Sequence, residues 1–290
     1  MTPRQIHAEP LGPYRAALGE GPLWNARTGR LLWLDILSQR LLETDPNDGA
    51  SKITAFAERV SAIAHRAGGG LLAAAGSRLC TLGDEGSLQT IVTLPAEAHG
   101  NLNDGKADAR GRFWCGTASF EAGGHSSLYR FDNGAPPVAV LGGVSMSNGI
   151  GWSPDNSRLY YVDSPTRRLD AFAFDLDSGE VRARAPLIEL PEGQLPDGLC
   201  VDAEGCIWLA VWGGSHVLRI TPDGAIDAEI RIPTAAVSSC AFGGSDGRTL
   251  FITTAQEGMT AEQLAADPWA GALFAADVGV TGSAVATTRL

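Results

Sequence analysis

A repeat with a period of forty-odd residues narrows what this chain can fold into more than any other feature. Residues 148–160 (NGIGWSPDNSRLY) lie over residues 20–32 (EGPLWNARTGRLL), with Gly149 on Gly21, Trp152 on Trp24, Arg158 on Arg30 and Leu159 on Leu31. The same segment lies over residues 239–251 (SCAFGGSDGRTLF), with Asp155 on Asp246 and Leu159 on Leu250. Further copies begin at Asp104 (DGKADARGRFW) and Asp197 (DGLCVDAEGCIW), and a degraded one at Ser61. The six anchors are residues 20, 61, 104, 148, 197 and 239, at spacings of 41, 43, 44, 49 and 42. Within each unit, apolar and aromatic runs such as LLWLDI, LYYVD, IWLAVW and LFITT alternate with polar turns such as SPDNS, ARTG and DAEG. Turn signals every ~8–12 residues mark an all-β chain. A period of ~40–50 residues holding three or four strands marks a propeller. The spacing therefore predicts an all-β, six-bladed β-propeller, one domain over residues 1–290. A β-sandwich would give no reason for sixfold repetition. One stretch reads as a helix, MTAEQLAAD at 259–267, and is expected in a loop.

The innermost strands of a propeller converge on its axis, so equivalent positions in every unit meet there. The anchors are Glu20, Ser61, Asp104, Asn148, Asp197 and Ser239, all polar, and glycine follows Glu20, Asp104, Asn148 and Asp197. Asp-Gly and Asn-Gly pairs can be simple turns. Four at one phase of a repeat point instead to a shared central site. Three carboxylates and a carboxamide around one axis repel one another unless protons or a cation intervene. An all-oxygen donor set suits a hard divalent cation such as calcium, magnesium or manganese.

Composition agrees with that reading. With 22 basic and 33 acidic residues the net charge is −11, which excludes a nucleic-acid surface and fits a cation or a neutral polar substrate. No apolar run reaches the ~18 residues of a membrane span, and the first residues lack a signal-peptide core. The five cysteines (80, 115, 200, 206, 240) are scattered, without a C-x-x-C pair, as in a reduced, cytoplasmic protein. The five histidines (7, 65, 99, 125, 216) show no zinc-ligand spacing.

Three short motifs compete and fail. GGSDG at 243–247 matches G-x-S-x-G, but a strand-like run follows it where a nucleophile elbow needs a helix. DLDSGE at 175–180 opens like an EF-hand loop, yet its glycine is fifth and Pro186 stands at the twelfth place. GEG at 19–21 lacks the third glycine of a dinucleotide fingerprint.

Glu20-Gly-Pro-Leu-Trp, Asn103-Asp104-Gly-Lys-Ala-Asp108, Ser147-Asn148-Gly and Pro196-Asp197-Gly198 together resemble the gluconolactonase, regucalcin and senescence-marker-protein family, and the resemblance spans essentially the whole chain. It implies a six-bladed propeller with one catalytic divalent metal, held by Glu20, Asn148 and Asp197. Calcium is the first candidate, with magnesium, manganese or zinc as alternatives. It implies that Asn103 and Asp104 lie beside the metal and that Asn103 orients substrate. The implied activity is hydrolysis of sugar-acid lactones, and some relatives hydrolyse phosphotriesters or other esters. The expected partner is thus a small sugar lactone, with no nucleic acid, membrane or obligatory protein partner. Asp197 is the expected general base, with Asp104 second. Many members carry an arginine two residues before the Asn of the NDGK pair, where it binds substrate oxygens. This chain has Asn101 there, shorter, neutral and without a guanidinium fork. Glu121 falls where some members place another substrate-contacting acid. Trp212 is placed either in the pocket wall or inside a blade. The other readings are a phosphotriester or ester hydrolase on the same site, and a non-catalytic calcium-binding regulatory protein.

Overall fold

The computed structural model describes residues 3–119 and 125–290. It is a six-bladed β-propeller, each sheet an antiparallel meander apart from one added strand. The innermost strands are Gly19–Asn25, Val60–His65, Asn101–Ala107, Ser147–Trp152, Leu195–Val201 and Val237–Gly243, for blades 1 to 6 in that order. Each begins within three residues of its sequence anchor. The frame is thus the repeat itself, one unit to one blade.

The ring closes through the N-terminus. Glu9–Leu11 forms the outermost strand of blade 6, antiparallel to Leu273–Asp277. Arg4–His7 adds a fifth, parallel strand to blade 5. Blade 6 therefore takes strands from both ends of the chain. Seven residues near the start thereby tie two blades to the end of the ring, a contribution the repeat does not reveal.

Six apolar clusters fill the six gaps between neighbouring blades. Trp208, Ile230, Ile252 and Phe274 join blades 5 and 6, while Trp114, Leu128, Tyr161 and Phe172 join blades 3 and 4. Each face of a blade is apolar because both faces are covered, which is why the second strands read as nearly unbroken apolar runs. The repeated Asp-x-x-Gly turns have a structural purpose. Asp108 accepts from Trp114 Nε1 at 2.8 Å and from Arg112 Nε at 2.6 Å. Asp202 accepts from Trp208 Nε1 at 3.0 Å and from Arg219 Nε at 2.8 Å. These carboxylates are buried and fully partnered, and lie outside the channel site.

The motifs set aside in the sequence fall in ordinary places. Ser245 lies in the turn between two strands of blade 6, and residues 176–179 form the hairpin turn between Arg168–Asp175 and Glu180–Glu189. The helix-like stretch gives a short helix, Ala261–Ala266, opened by a capping box between Thr260 and Gln263. All five cysteines are free. Among the described residues no helix is long and apolar enough to cross a membrane.

The last residues cross one end of the channel. Ser283 N donates to the Val201 carbonyl in blade 5, and Thr288 N to the His65 carbonyl in blade 2. Residues 282–286 border a cavity of about 450 Å³ walled by Trp24, Trp152 and Phe242. Residues 282–288 therefore cover this end of the channel.

Candidate active site

The opposite end of the channel opens into a cavity of about 640 Å³. Glu20, Ser61, Asn103, Asp104, Asn148 and Asp197 all line it. Five of the six anchors thus meet at one place, although up to 177 residues separate them. The sixth, Ser239, faces the other cavity, and Asp104 borders both. Asn101 and Trp212 line the same cavity as the five. Glu121 lies outside the described residues.

The local structure explains why the anchors point inward. In all six blades the pairing of the first and second strands slips at the anchor: between Glu20 and Leu23, Val60 and Ala62, Leu102 and Gly105, Ser147 and Ile150, Pro196 and Leu199, and Val237 and Ser239. A bulge frees residues from the ladder and re-aims their side chains. The glycines that follow sit within these bulged strands and make no turn. A Cβ on Gly149 would collide with the Asp197 carbonyl, and one on Gly198 with the Ser239 side chain. At Gly149 and Gly198 neighbouring innermost strands approach too closely for any larger residue, whereas a Cβ on Gly105 would meet the second strand of its own blade and Gly21 sits at φ +54°.

Hydrogen bonds fix the amides. Asn103 donates both amide hydrogens, to the Ser147 carbonyl at 2.8 Å and to Asn148 Oδ1 at 3.1 Å. Asn148 Nδ2 donates to Ser164 Oγ at 2.8 Å, and Ser164 Oγ donates to the Pro196 carbonyl at 2.7 Å. These bonds set the orientation of Asn148 and leave one lone pair of its Oδ1 beyond the bond from Asn103. Ser164, next to the second strand of blade 4, is a positioning residue that the sequence did not single out.

The carboxylates are under strain of charge. Burial pushes the Glu20 pKa up to about 8, and the neighbouring Asp104 charge adds to this. The Gly21 N–H and Lys106 oppose it. Burial also pushes Asp197 well up, reinforced by the charges of Glu20, Asp104 and Glu257. Lys106 is turned away, its ammonium donating to the Leu199 carbonyl. Glu257, beyond the second strand of blade 6, is an exposed acid on the same cavity that sequence reasoning missed.

Acids that crowd one buried site and resist ionisation are the arrangement a cation relieves. Among the described residues no three His, Cys, Asp or Glu side chains form a metal-binding group by themselves. The Asn148 carboxamide lines the same cavity as the Glu20 and Asp197 carboxylates. Oxygen-only donors with an oriented carboxamide fit a hard divalent cation.

Comparison with known proteins places the chain. Residues 18–256 match the family model described as SMP-30/Gluconolactonase/LRE-like region. The chain belongs to that family, the sugar lactone lactonases. It is 38% identical over 276 residues to a 6-deoxy-6-sulfogluconolactonase of Pseudomonas putida, covering 93% of this chain and 94% of that one. It is 33% identical over 290 residues to regucalcin of Macaca fascicularis, covering 96% and 97%. Among solved structures, a calcium-binding protein, regucalcin, from Agrobacterium tumefaciens superposes with a TM-score of 0.92 at 28% identity, over 100% of both chains.

Proposed function

We propose that this protein is a divalent-cation-dependent hydrolase that opens the lactone ring of a sugar acid to the free aldonic acid. The observation that carries the reading is the convergence of Glu20, Asn148 and Asp197, with Asn103 and Asp104 beside them, on one open cavity. Membership of the family supports it, as does a relative named for a gluconolactone substrate. The likeness to a calcium-binding regucalcin puts calcium first among cations.

In this reading Glu20, Asn148 and Asp197 hold the cation. When bound, it supplies Lewis-acid polarisation of the lactone carbonyl and stabilises the negative charge that develops on its oxygen. The residues do the rest. Asp197 takes a proton from the attacking water, with Asp104 as the second carboxylate facing the same space. The water oxygen bonds to the carbonyl carbon, the ring carbon–oxygen bond breaks, and the ring oxygen leaves as a hydroxyl carrying that proton. Asn103, its amide hydrogens already engaged, presents Oδ1 to a substrate hydroxyl. Asn101 shapes the rim and Trp212 offers a partly exposed ring against the sugar face.

The test is proton release in a pH-stat, using chelator-stripped protein and a panel of five- and six-membered sugar lactones. Calcium, magnesium, manganese and zinc are added back in turn. Turnover of at least one lactone, absent without metal, is the expected result. Hydrolysis of phosphotriesters with no lactone turned over would overturn the substrate assignment. Tight cation binding with no turnover of either panel would make the protein a cation-binding one.

A further inference from the structure

We infer that Arg59 forms a subsite for an oxyanion on the substrate, so that the preferred lactone carries a sulfonate, phosphate or carboxylate remote from its reacting carbonyl. This inference rests on the lactone-hydrolase reading of the cavity. Four observations converge on it.

The first is position. Arg59 lines the 640 Å³ cavity and is exposed, so it stands at the rim. It immediately precedes the first strand of blade 2, where Val60 pairs with Ala75. Arg59 is thus opposite Gly76 at the top of that hairpin. A Cβ built on Gly76 would lie 3.9 Å from Asn101 Oδ1. Arg59 and Asn101 therefore flank the same corner of the rim.

The second is the repeat. Two residues before each anchor the chain has Leu18, Arg59, Leu102, Met146, Leu195 and Val237. Five are apolar and one is a guanidinium. Five of the six, Arg59 included, line this cavity. The blade geometry asks for an apolar residue at that phase, so the arginine is not there to build the blade.

The third is its lack of a partner. Among the described residues no carboxylate lies within ion-pair distance of Arg59, and no hydrogen bond engages it, whereas its neighbour Glu58 is paired with Arg78. The fourth is charge. Arg59 is the one basic residue among the described residues of this cavity, against Glu20, Asp104, Asp197 and Glu257. One divalent cation would offset only part of that negative charge, so an anionic substrate needs a local cation at the rim. A guanidinium fork matches the paired oxygens of sulfonate, phosphate or carboxylate.

The experiment measures kcat/KM of the cation-loaded wild type, Arg59→Gln and Arg59→Lys. The substrates are D-glucono-1,5-lactone, its 6-phosphate and its 6-deoxy-6-sulfo analogue. Arg59 is exposed, so neither variant disturbs a packed core. The charged-to-uncharged ratio is expected to fall about ten- to a hundredfold in Arg59→Gln, the worth of a charge-assisted bond. Arg59→Lys keeps the charge but loses the fork, and falls between. The wild-type ratio also falls as salt rises. The anion with the larger wild-type ratio identifies the headgroup. A ratio unchanged within twofold in Arg59→Gln would overturn the inference. Calorimetric binding of 6-phosphogluconate and of gluconate separates this outcome from failure of the lactonase reading. If the wild type opens no lactone, that reading falls. The subsite then stands if Arg59→Gln weakens 6-phosphogluconate relative to gluconate tenfold, and falls if both weaken equally.

Discussion

Asp197→Asn is expected to lower kcat on the lactone substrate by at least ~10³-fold, because one side chain serves both as cation ligand and as the base that accepts the water proton. The substitution keeps the shape of the group and removes its charge. Cation affinity should fall in the same variant, measured by calorimetry on stripped protein. Asn101→Ala is the contrast, changing KM or substrate preference with cation affinity retained. The loss in Asp197→Asn will not come from misfolding. The buried Asp197 carboxylate is opposed by Glu20, Asp104 and Glu257, so an amide there relieves repulsion. Metal-free Asp197→Asn should melt no lower than metal-free wild type at neutral pH and above. If kcat falls less than tenfold, Asp104 is the base and the order of the two carboxylates is reversed.

The second large effect is on stability. In the metal-free protein Glu20 has its pKa raised to about 8 and Asp197 is raised as well, both chiefly by burial. Unfolded carboxyls titrate near pH ~4. Between these limits the folded chain holds more protons than the unfolded one, so stability is full below about pH 4 and falls as pH rises towards 8. Cation binding needs the deprotonated groups and releases their protons. The melting temperature of stripped protein should therefore decline from pH 5 to pH 8. Added calcium should raise it more at pH 8 than at pH 5. At a hundred times Kd the gain is about 2.7 kcal/mol, at roughly 2–4 °C per kcal/mol for a chain of this order of size. His216, lowered by burial, gives an opposite slope in part of this range, so the comparison is against Glu20→Gln/Asp197→Asn. Asp155, held down to about 2 by its hydrogen bonds with Ser153 and Ser157, acts below the window. Equal calcium stabilisation at both pH values would show that these acids do not bind it.

The repeat made the architecture legible because a propeller blade is one unit used six times, and each polar-Gly anchor marks the bulge in an innermost strand. The sequence could not show that Ser239 faces away, since a single residue of bulge decides the direction of its side chain. It could not show that Glu9–Leu11 closes the ring, because that strand belongs to no complete unit. Ser164 and Glu257 escaped notice for a related reason. They lie beyond the ends of second strands, where each unit differs, and only the ring brings them to the axis. Arg59 was visible at a fixed phase of the repeat, two residues before Ser61.

The most direct test is calorimetric titration of calcium into chelator-stripped wild type and the triple variant Glu20→Gln/Asn148→Ala/Asp197→Asn, at pH 8. One calcium per chain in the wild type and none in the variant is the expected result. Equal binding by both proteins would contradict a cation site built from these three residues.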